Sequence, residues 1–405
     1  MATTRRLIPV IGDSVVHVGR GLLSLIPGEI ISNKSIKASK YVVISDHNVW
    51  SLHGKRLTDS FMEAGCSTDF KADGNVLLTY QVEPGEKSKC RAVKAEIEDF
   101  MLEHKCLRDT CVVALGGGVI GDLAGYVAAT YMRGVPVVQV PTSTMAMCDS
   151  SVGGKTAINV PAGKNLIGAF WQPRVVYADM DLLATLGRRE LVEGIAEAIK
   201  MGCIRKPGLF ELLEASPDKV KQLDPATIQE VVYQAILGKA EVVAQDEREQ
   251  GLRGTLNWGH TIGHAIEAIK SPALFHGECV SIGCIAEAEL ALELGYEPLN
   301  GRTIERIRAC FASYGLPTEF PKTGLDVPTL MLKMGVDKKN IGNTIRVTVV
   351  KDIGVSLTNP QPVTKDVMEA ALAAALKSTA AAVEWIPLEG TVQESLGPTA
   401  KRQCL

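Results

Sequence analysis

Two hydrophobic patterns in this 405-residue chain predict an open α/β domain followed by a mainly helical domain. In the first part, short runs rich in β-branched residues alternate with helix-forming stretches, which is typical of parallel strands buried on both faces. The predicted strands are residues 41–46, 110–115, 135–140 and 175–179. Farther along, helical stretches dominate at residues 225–247, 278–294, 302–314 and 366–377.

The domain limits follow from where these patterns change. We predict a first domain at residues 1–180 and a second at residues 181–377, with a helix at 89–104 in the first and one late strand at 344–350 in the second. Residues 378–405 mix Ala, Gly and Pro with few large apolar residues, which predicts a linker or a disordered tail. A chain of 405 residues with 46% hydrophobic content can form two cores of ordinary size.

Bulk composition excludes several classes of function. A net charge of -3 gives no sign of a nucleic-acid or membrane partner. The ten cysteines lack C-x-x-C spacing and lie mostly in apolar stretches, which favours free thiols in a reducing compartment and therefore the cytoplasm. No segment approaches the roughly 20 apolar residues that a membrane-spanning helix requires.

A glycine-rich turn follows the predicted strand at 110–115. The sequence GGGVIGD at residues 116–122 satisfies G-x-G-x-x-G and precedes a predicted helix at 122–132, a pattern that binds dinucleotide pyrophosphates in Rossmann-like domains. The alternative is that these glycines serve only tight packing. No acidic residue follows at the usual spacing of about 20 positions, so we assign the ribose to Asp46, at the end of an earlier strand.

Three residues spread over eighty positions are candidate metal ligands. Glu197 lies three residues before Lys200 on a predicted helix, His260 precedes His264 by four residues, and His276 stands where another helix begins. One carboxylate and two imidazoles form a ligand set that zinc accepts with a position left open for substrate. Any single histidine is more often a surface or core residue, and the H-x-x-x-H pattern lacks the Glu of a metalloprotease helix. Asn257, His260 and His264 would line one stripe if the segment is helical.

Several further motifs occur together and in a fixed order. They are the stretches at residues 131–134, 141–159, 163–173, 246–253, 276–278 and 336–340, added to the glycine turn and the metal candidates. In this combination the chain resembles the 3-dehydroquinate synthase family, in the form found as the N-terminal domain of the fungal AROM polypeptide. The resemblance covers roughly residues 7–377.

The resemblance implies a dinucleotide-binding α/β domain and a helical domain with the active site in the cleft between them, usually in a homodimer. It implies a lyase that converts 3-deoxy-D-arabino-heptulosonate 7-phosphate to 3-dehydroquinate in the shikimate pathway. The C5 hydroxyl is oxidised by NAD, phosphate is eliminated, the ketone is reduced again and the product closes by an aldol step. Zinc is the expected metal, with cobalt as the alternative. Further shikimate-pathway domains are expected as partners if the chain is part of a fused polypeptide.

The resemblance also assigns residues. The zinc ligands would be Glu197, His260 and His276. Nucleotide binding would fall to Asp46, Glu86, Lys89, Gly117, Gly118, Asp122, Thr142 and Ser143. The substrate, a phosphate and a carboxylate on one sugar, would be bound by Arg133, Lys155, Lys164, Asn165, Lys200, Lys239, Arg253, Asn257, His264 and Lys338. Direct catalytic roles would fall to Asp149, Lys155, Lys200, Lys239, Asn257 and His264, with Asp149 beside the reacting hydroxyl.

Three alternatives remain open at this point. A sedoheptulose 7-phosphate cyclase would share fold, NAD and zinc, but such enzymes tend to change the positions matched by Asn257, His264 and Lys338. A metal-dependent polyol dehydrogenase would not need the array of Lys and Arg side chains. A non-catalytic scaffold would not keep a complete set of metal- and anion-binding residues. The departures from the family are Ser143 in place of a second Thr and Trp258 in place of a frequent Phe.

Overall fold

The computed structural model describes residues 5–335, 344–378 and 385–391. The chain divides into two compact units. Among the described residues, the first contains 5–186, 228–244 and 391, and the second contains 187–227, 245–335, 344–378 and 385–390. Residues 228–244 had been placed in the second domain by sequence, and the predicted domain limits stay a prediction.

The first unit is built on a seven-stranded sheet with the order β1-β2-β9-β6-β5-β3-β4. All neighbouring pairs are parallel except β1 with β2. The strands are β1 (Arg6–Pro9), β2 (Val15–Gly19), β3 (Lys40–Asp46), β4 (Val76–Val82), β5 (Thr110–Gly116), β6 (Val137–Pro141) and β9 (Val175–Asp179). A separate antiparallel hairpin is formed by β7 (Lys155–Val160) and β8 (Gly163–Phe170).

The predicted α/β class is confirmed in the sheet. Strands β5, β6 and β9 are buried along their whole length, as expected of parallel strands covered on both faces. The helices of this unit are α1 (Ile26–Ser32), α2 (His47–Val49), α3 (Lys55–Glu63), α4 (Arg91–Glu103), α5 (Gly118–Thr130) and most of α9 (Pro225–Gln245). The helix predicted at 122–132 begins earlier because Gly117, in extended backbone, serves as its N-cap.

The second unit is mainly helical, as predicted. Its helices are α6 (Arg188–Ile204), α7 (Pro207–Ala215), α8 (Pro217–Lys221), α10 (His260–Lys270), α11 (His276–Glu293), α12 (Gly301–Ser313), α13 (Val327–Gly335) and α14 (Lys365–Ser378). The single strand predicted at 344–350 is divided into β10 (Ile345–Val347) and β11 (Val350–Asp352). These pair with β13 (Gln361–Val363) and β12 (Val355–Ser356), respectively. The two halves therefore pair with different strands, and at the division Val349 O accepts the amide of Leu357 while the Thr348 hydroxyl donates to Gly254 O.

Two general properties agree with the composition. Nine cysteines lie within the described residues, and all nine are free thiols. Over the same ranges, no helix combines the length and the apolar character that crossing a membrane demands.

Candidate functional site

In the first unit, the glycine-rich turn joins a fully buried strand to a helix. Strand β5 ends at Gly116 and α5 begins at Gly118, so the backbone amides of the turn lie at a helix N-terminus, where anions bind favourably. The approach to these amides is close. A Cβ atom added at Gly117 would lie 3.4 Å from Ser143 Oγ, and one at Gly118 would lie 3.0 Å from Ser150 Oγ.

Neighbouring strands bring other predicted nucleotide residues to the same edge of the sheet. Because β3, β5 and β6 are adjacent and parallel, Asp46, the glycine turn and Thr142 all lie at their carboxyl ends. Asp46 Oδ1 accepts the amide of Val49 at 3.0 Å and so caps α2. The amide of Thr142 donates to Gly116 O at 3.0 Å, which ties β6 to the turn.

A buried ammonium connects residues predicted for nucleotide and for substrate. Lys89 is 4% exposed, forms an ion pair with Asp122 and donates to Asn165 Oδ1 at 2.6 Å. Asn165 adopts a left-handed conformation, with φ of 57°. Nearby, Glu86 Oε2 accepts from Asn159 Nδ2 at 2.6 Å. The two predicted sets therefore meet at Lys89.

A second buried ammonium holds Asp149. The Lys239 ammonium, on α9, donates to Asp149 Oδ1 at 2.7 Å and to its carbonyl oxygen at 2.6 Å. Arg133, Lys155 and Lys164 are exposed in the same unit, Arg133 in a turn and the two lysines on the β7–β8 hairpin. The first unit thus contains several exposed cations and one carboxylate that is held by a buried ammonium.

In the second unit, the three predicted metal ligands converge. Glu197 Oε1, on α6, lies 3.5 Å from His260 Nε2 and 3.6 Å from His276 Nε2. The Lys200 ammonium, one helical turn farther along α6, contacts the other oxygen of Glu197. Glu197 and Lys200 are both almost fully buried.

The other ring nitrogens of the two histidines are already engaged. His260 Nδ1 contacts the carbonyl oxygen of Trp258 at 3.0 Å, and His276 Nδ1 contacts Glu267 Oε2 at 2.8 Å. A carbonyl accepts hydrogen bonds only, so His260 carries its proton on Nδ1 and directs the Nε2 lone pair toward Glu197. His260 Nε2 and Glu197 Oε1 are thus buried acceptors that face one another, and a cation between them would satisfy both, since Glu197 Oε1 accepts no hydrogen bond within the described residues. The donor set therefore fits a divalent metal.

Burial and neighbouring charges shift the pKa values of all three predicted metal ligands. Burial would raise the pKa of Glu197, but the Lys200 ammonium and His276 outweigh it and lower that pKa to about 2. Burial and the Lys200 ammonium lower the pKa of His260 well below its ordinary value. Burial would lower the pKa of His276 too, but the Glu267 and Glu197 carboxylates raise it well above that value. Metal uptake would therefore displace a proton from His276.

His264, which was predicted to bind substrate, lies beside the predicted metal ligands. The ligand atoms of His260, His264 and His276 all lie within 4.8 Å of one another. The prediction that Asn257 shares one helical stripe with His260 and His264 is wrong. Asn257 ends a 3₁₀ turn, and Gly259, with φ of 79°, separates it from α10. His264 does follow His260 on α10, one turn along.

The remaining predicted residues of this unit lie around the 3₁₀ turn Leu252–Asn257. Arg253 is 1% exposed, and its guanidinium donates to Glu247 O. Asn257 Nδ2 donates to Glu249 Oε1 at 2.7 Å. Lys338 lies outside the described residues.

Two carboxylates escaped the sequence reasoning. Glu249 binds Asn257, and its own φ of 58° is left-handed, a conformation that no local pattern announces. Glu267 binds His276. Its signal was available, since Glu267 follows His264 by three residues and therefore shares its helical face.

Close packing of α10 on α11 fixes the three histidines. A Cβ atom added at Gly283 would overlap the carbonyl oxygen of Gly259 and lie 2.8 Å from Gly263 N. A Cβ atom at Gly263 would lie 2.9 Å from Cys279 O. Glycine is needed at both positions because backbone meets backbone there.

We expect Gly283→Ala to separate these helices and lower the free energy of unfolding by about 1–3 kcal/mol. Urea unfolding and a zinc-binding measurement check this, since the free energy of unfolding and the zinc affinity should both fall. The matched control is Gly301→Ala, at a helical position with open space around a new Cβ atom. Equal unfolding midpoints for the two variants would contradict the packing argument.

Fold and donor set together define a class: proteins that combine a dinucleotide-type α/β unit with a helical unit bearing a carboxylate–imidazole cluster. Solved structures with this fold include 2-deoxy-scyllo-inosose synthase complexed with carbaglucose-6-phosphate, NAD+ and Co2+. It has a TM-score of 0.80 and 23% identity, covering 92% of this chain and 100% of that one. They also include a glycerol dehydrogenase from Schizosaccharomyces pombe, with a TM-score of 0.64 and 16% identity, covering 97% of this chain and 99% of that one.

Family models identify the lineage. The 3-dehydroquinate synthase N-terminal model matches residues 79–193, and the C-terminal model matches residues 194–340. The chain belongs to the 3-dehydroquinate synthase family. It is 44% identical to the pentafunctional AROM polypeptides of Schizosaccharomyces pombe and Candida glabrata, covering 89% and 86% of this chain. It spans about a quarter of their length, 24% and 23%, respectively.

Proposed function

We propose that this chain is a 3-dehydroquinate synthase, a lyase that converts 3-deoxy-D-arabino-heptulosonate 7-phosphate to 3-dehydroquinate and phosphate in the shikimate pathway, on the route to the aromatic amino acids. The observation that carries the proposal is the convergence of Glu197 on His260 and His276 within a chain of this family. The AROM relatives at 44% identity support it.

The cofactors proposed are NAD and a divalent metal, zinc or cobalt. A 2-epi-5-epi-valiolone synthase from Streptomyces hygroscopicus, solved with NAD+ and Zn2+, supports this pair, with a TM-score of 0.78 and 25% identity, covering 93% of this chain and 99% of that one. When bound, NAD takes up a hydride from the C5 carbon and returns it. When bound, the metal polarises the substrate's hydroxyl oxygens.

Nucleotide binding is proposed for the glycine turn and the residues around it. Gly117 and Gly118 would present amides to the pyrophosphate, and Asp46 would accept the ribose hydroxyls. Glu86, Lys89, Asp122, Thr142 and Ser143 complete this set. Lys89 keeps Asp122 and Asn165 in fixed positions, so it orients residues of both sets.

The proton of the C5 hydroxyl is assigned to Asp149. The Lys239 ammonium, at 2.7 Å from Asp149 Oδ1, holds this carboxylate in one position, as a proton acceptor requires. The elimination step removes the C6 proton and releases phosphate, and the substrate's own phosphate is proposed to assist. The later aldol closure forms a carbon–carbon bond without any net oxidation or reduction of the substrate.

Anion binding is proposed for the remaining basic and amide residues. Arg133, Lys155, Lys164 and Asn165 belong to the first unit, and Lys200, Arg253, Asn257, His264 and Lys338 to the second. A substrate that carries both a phosphate and a carboxylate needs such cations, because each anion must be desolvated on binding. Lys200 has a second role, since its contact keeps Glu197 ionised.

A homodimer in the cytoplasm is proposed as the working form. The nine free cysteines support a reducing compartment. The longer AROM relatives support further shikimate-pathway domains as covalent partners where this region is part of a fused polypeptide.

The test is substrate choice. Purified protein is supplied with NAD and zinc and offered the heptulosonate phosphate or sedoheptulose 7-phosphate, while phosphate release and product identity are followed. We expect turnover of the heptulosonate alone, loss of turnover with a chelator and its return with zinc. Turnover of sedoheptulose 7-phosphate instead would establish the alternative cyclase, and net reduction of NAD would establish a polyol dehydrogenase.

A further inference from the structure

Arg189 binds the turn at residues 273–278, which leads into α11 and contains His276. Its Nε and Nη2 donate to the two carboxylate oxygens of Glu278 at 2.6 and 2.7 Å, and Nη2 also donates to Ala273 O at 2.7 Å. Glu278 Oε2 in turn accepts the amide of Phe275 at 2.8 Å. The guanidinium therefore holds Ala273 directly and, through Glu278, holds Phe275, the residue just before His276.

The same guanidinium contacts two aromatic rings. Its carbon lies 3.8 Å from the centroid of Phe275 and 5.7 Å from that of Trp385. Both distances are within the range of a cation–π interaction. Trp385 belongs to the C-terminal segment at residues 385–390, which has no regular secondary structure.

This C-terminal segment is attached to the helical unit along its length. Trp385 Nε1 donates to Gly315 O at 2.9 Å, and Gly390 O accepts the amide of Arg188 at 3.0 Å. Leu388 lies so close to Gly315 that an added Cβ atom there would be 3.3 Å from Leu388 Cδ1. The segment thus passes over Arg189 with a contact at each end. It lies beyond residue 340, where the family match ends.

We propose that residues 385–390 form a strap that immobilises Arg189, and that Arg189 is a positioning residue for the metal ligand His276. The proposal rests on the metal centre of the proposed function. Its physical basis is that a ligand nitrogen binds well only when its supporting contacts hold it in place. Within the described residues, Arg189 contacts Ala273, Phe275, Glu278 and Trp385, so its effect on His276 passes through the residues that lead into α11.

The strap has a consequence for the longer relatives. In a fused polypeptide, the chain that leaves this unit toward the next domain would be the same chain that holds Arg189. A displacement of residues 385–390 would then affect the position of His276 through three contacts. These are Trp385 with Arg189, Arg189 with Glu278, and Glu278 with Phe275.

The test compares zinc affinity in the full chain, measured by competition with a chromophoric chelator, and the visible spectrum of the cobalt-loaded protein. We expect Trp385→Ala to weaken zinc binding on the order of tenfold and to alter the cobalt spectrum. Trp385→Phe keeps a ring over Arg189 and should recover most of the affinity. Arg189→Lys keeps the charge but loses the two-pronged contact with Glu278, so it should weaken zinc binding at least as much as Trp385→Ala.

Ile386→Ala is the matched control, because Ile386 is in the same segment and 78% exposed. It should leave affinity and spectrum unchanged. If the unsubstituted protein binds zinc and Trp385→Ala lowers only the unfolding temperature, the strap is merely structural and this proposal is overturned while the proposed function stands. If the unsubstituted protein binds no zinc, the proposed function itself fails.

Discussion

Replacing His260 with alanine is expected to remove the metal and abolish turnover. His260 supplies an Nε2 lone pair whose direction is fixed by the contact of Nδ1 with Trp258 O, and it contacts Glu197, whereas His264, the other imidazole of α10, lies one turn farther along. Losing the polarisation of the substrate oxygens costs several kcal/mol of transition-state stabilisation, so the rate should fall on the order of a thousandfold or more. Zinc content after dialysis and the rate of phosphate release are the measurements.

His104→Ala is the matched control for this variant. His104 lies in the first unit, where its Nδ1 contacts Phe100 O at 2.8 Å at the end of α4. Its removal should leave zinc content and rate unchanged. A folded His260→Ala protein that retains both full zinc content and full rate would refute the assignment of the metal centre.

Replacing Arg253 with alanine is expected to weaken substrate binding far more than NAD binding. The Arg253 guanidinium lies in the helical unit beside Glu247 O, whereas the predicted nucleotide residues belong to the other unit. A charged hydrogen bond to an anion contributes about 1.5–3 kcal/mol, so the Michaelis constant for substrate should rise roughly 10- to 150-fold. The NAD dissociation constant should stay within about twofold, because none of the residues predicted to bind the nucleotide belongs to the same unit as Arg253.

Two further variants separate charge from folding. Arg253→Lys keeps the cation without the planar fork, so its loss of affinity should fall between those of the unsubstituted protein and Arg253→Ala. Arg302→Ala, at an exposed position in α12, should change neither constant. Because Arg253 is buried, unfolding midpoints are compared first. Equal losses of affinity for substrate and for NAD would contradict the assignment of Arg253 to the substrate.

Local patterns were reliable where one element carries the signal. The buried strand at 110–115 was predicted nearly to the residue, and the glycine turn was placed correctly after it although its helix begins four residues earlier than predicted, because β-branched runs and glycine spacing are properties of a few consecutive positions. The helix over Glu197 and Lys200 was predicted for the same reason. Two errors share the opposite cause. The Asn257 stripe fails because a left-handed glycine precedes α10, and the single strand at 344–350 fails because its two halves pair with different strands.

The amino-acid sequence by itself determined the class of fold, the family and the residue types available for binding, since these depend on periodicity and on motifs in a fixed order. Tertiary structure alone decided which groups meet. It brings Glu197 to His260 and His276, adds Glu267 behind His276, and joins Lys239 to Asp149. The physical reason is that these contacts connect helices and turns whose packing depends on close backbone approach, as at Gly283, and such approach leaves no periodic trace along the chain.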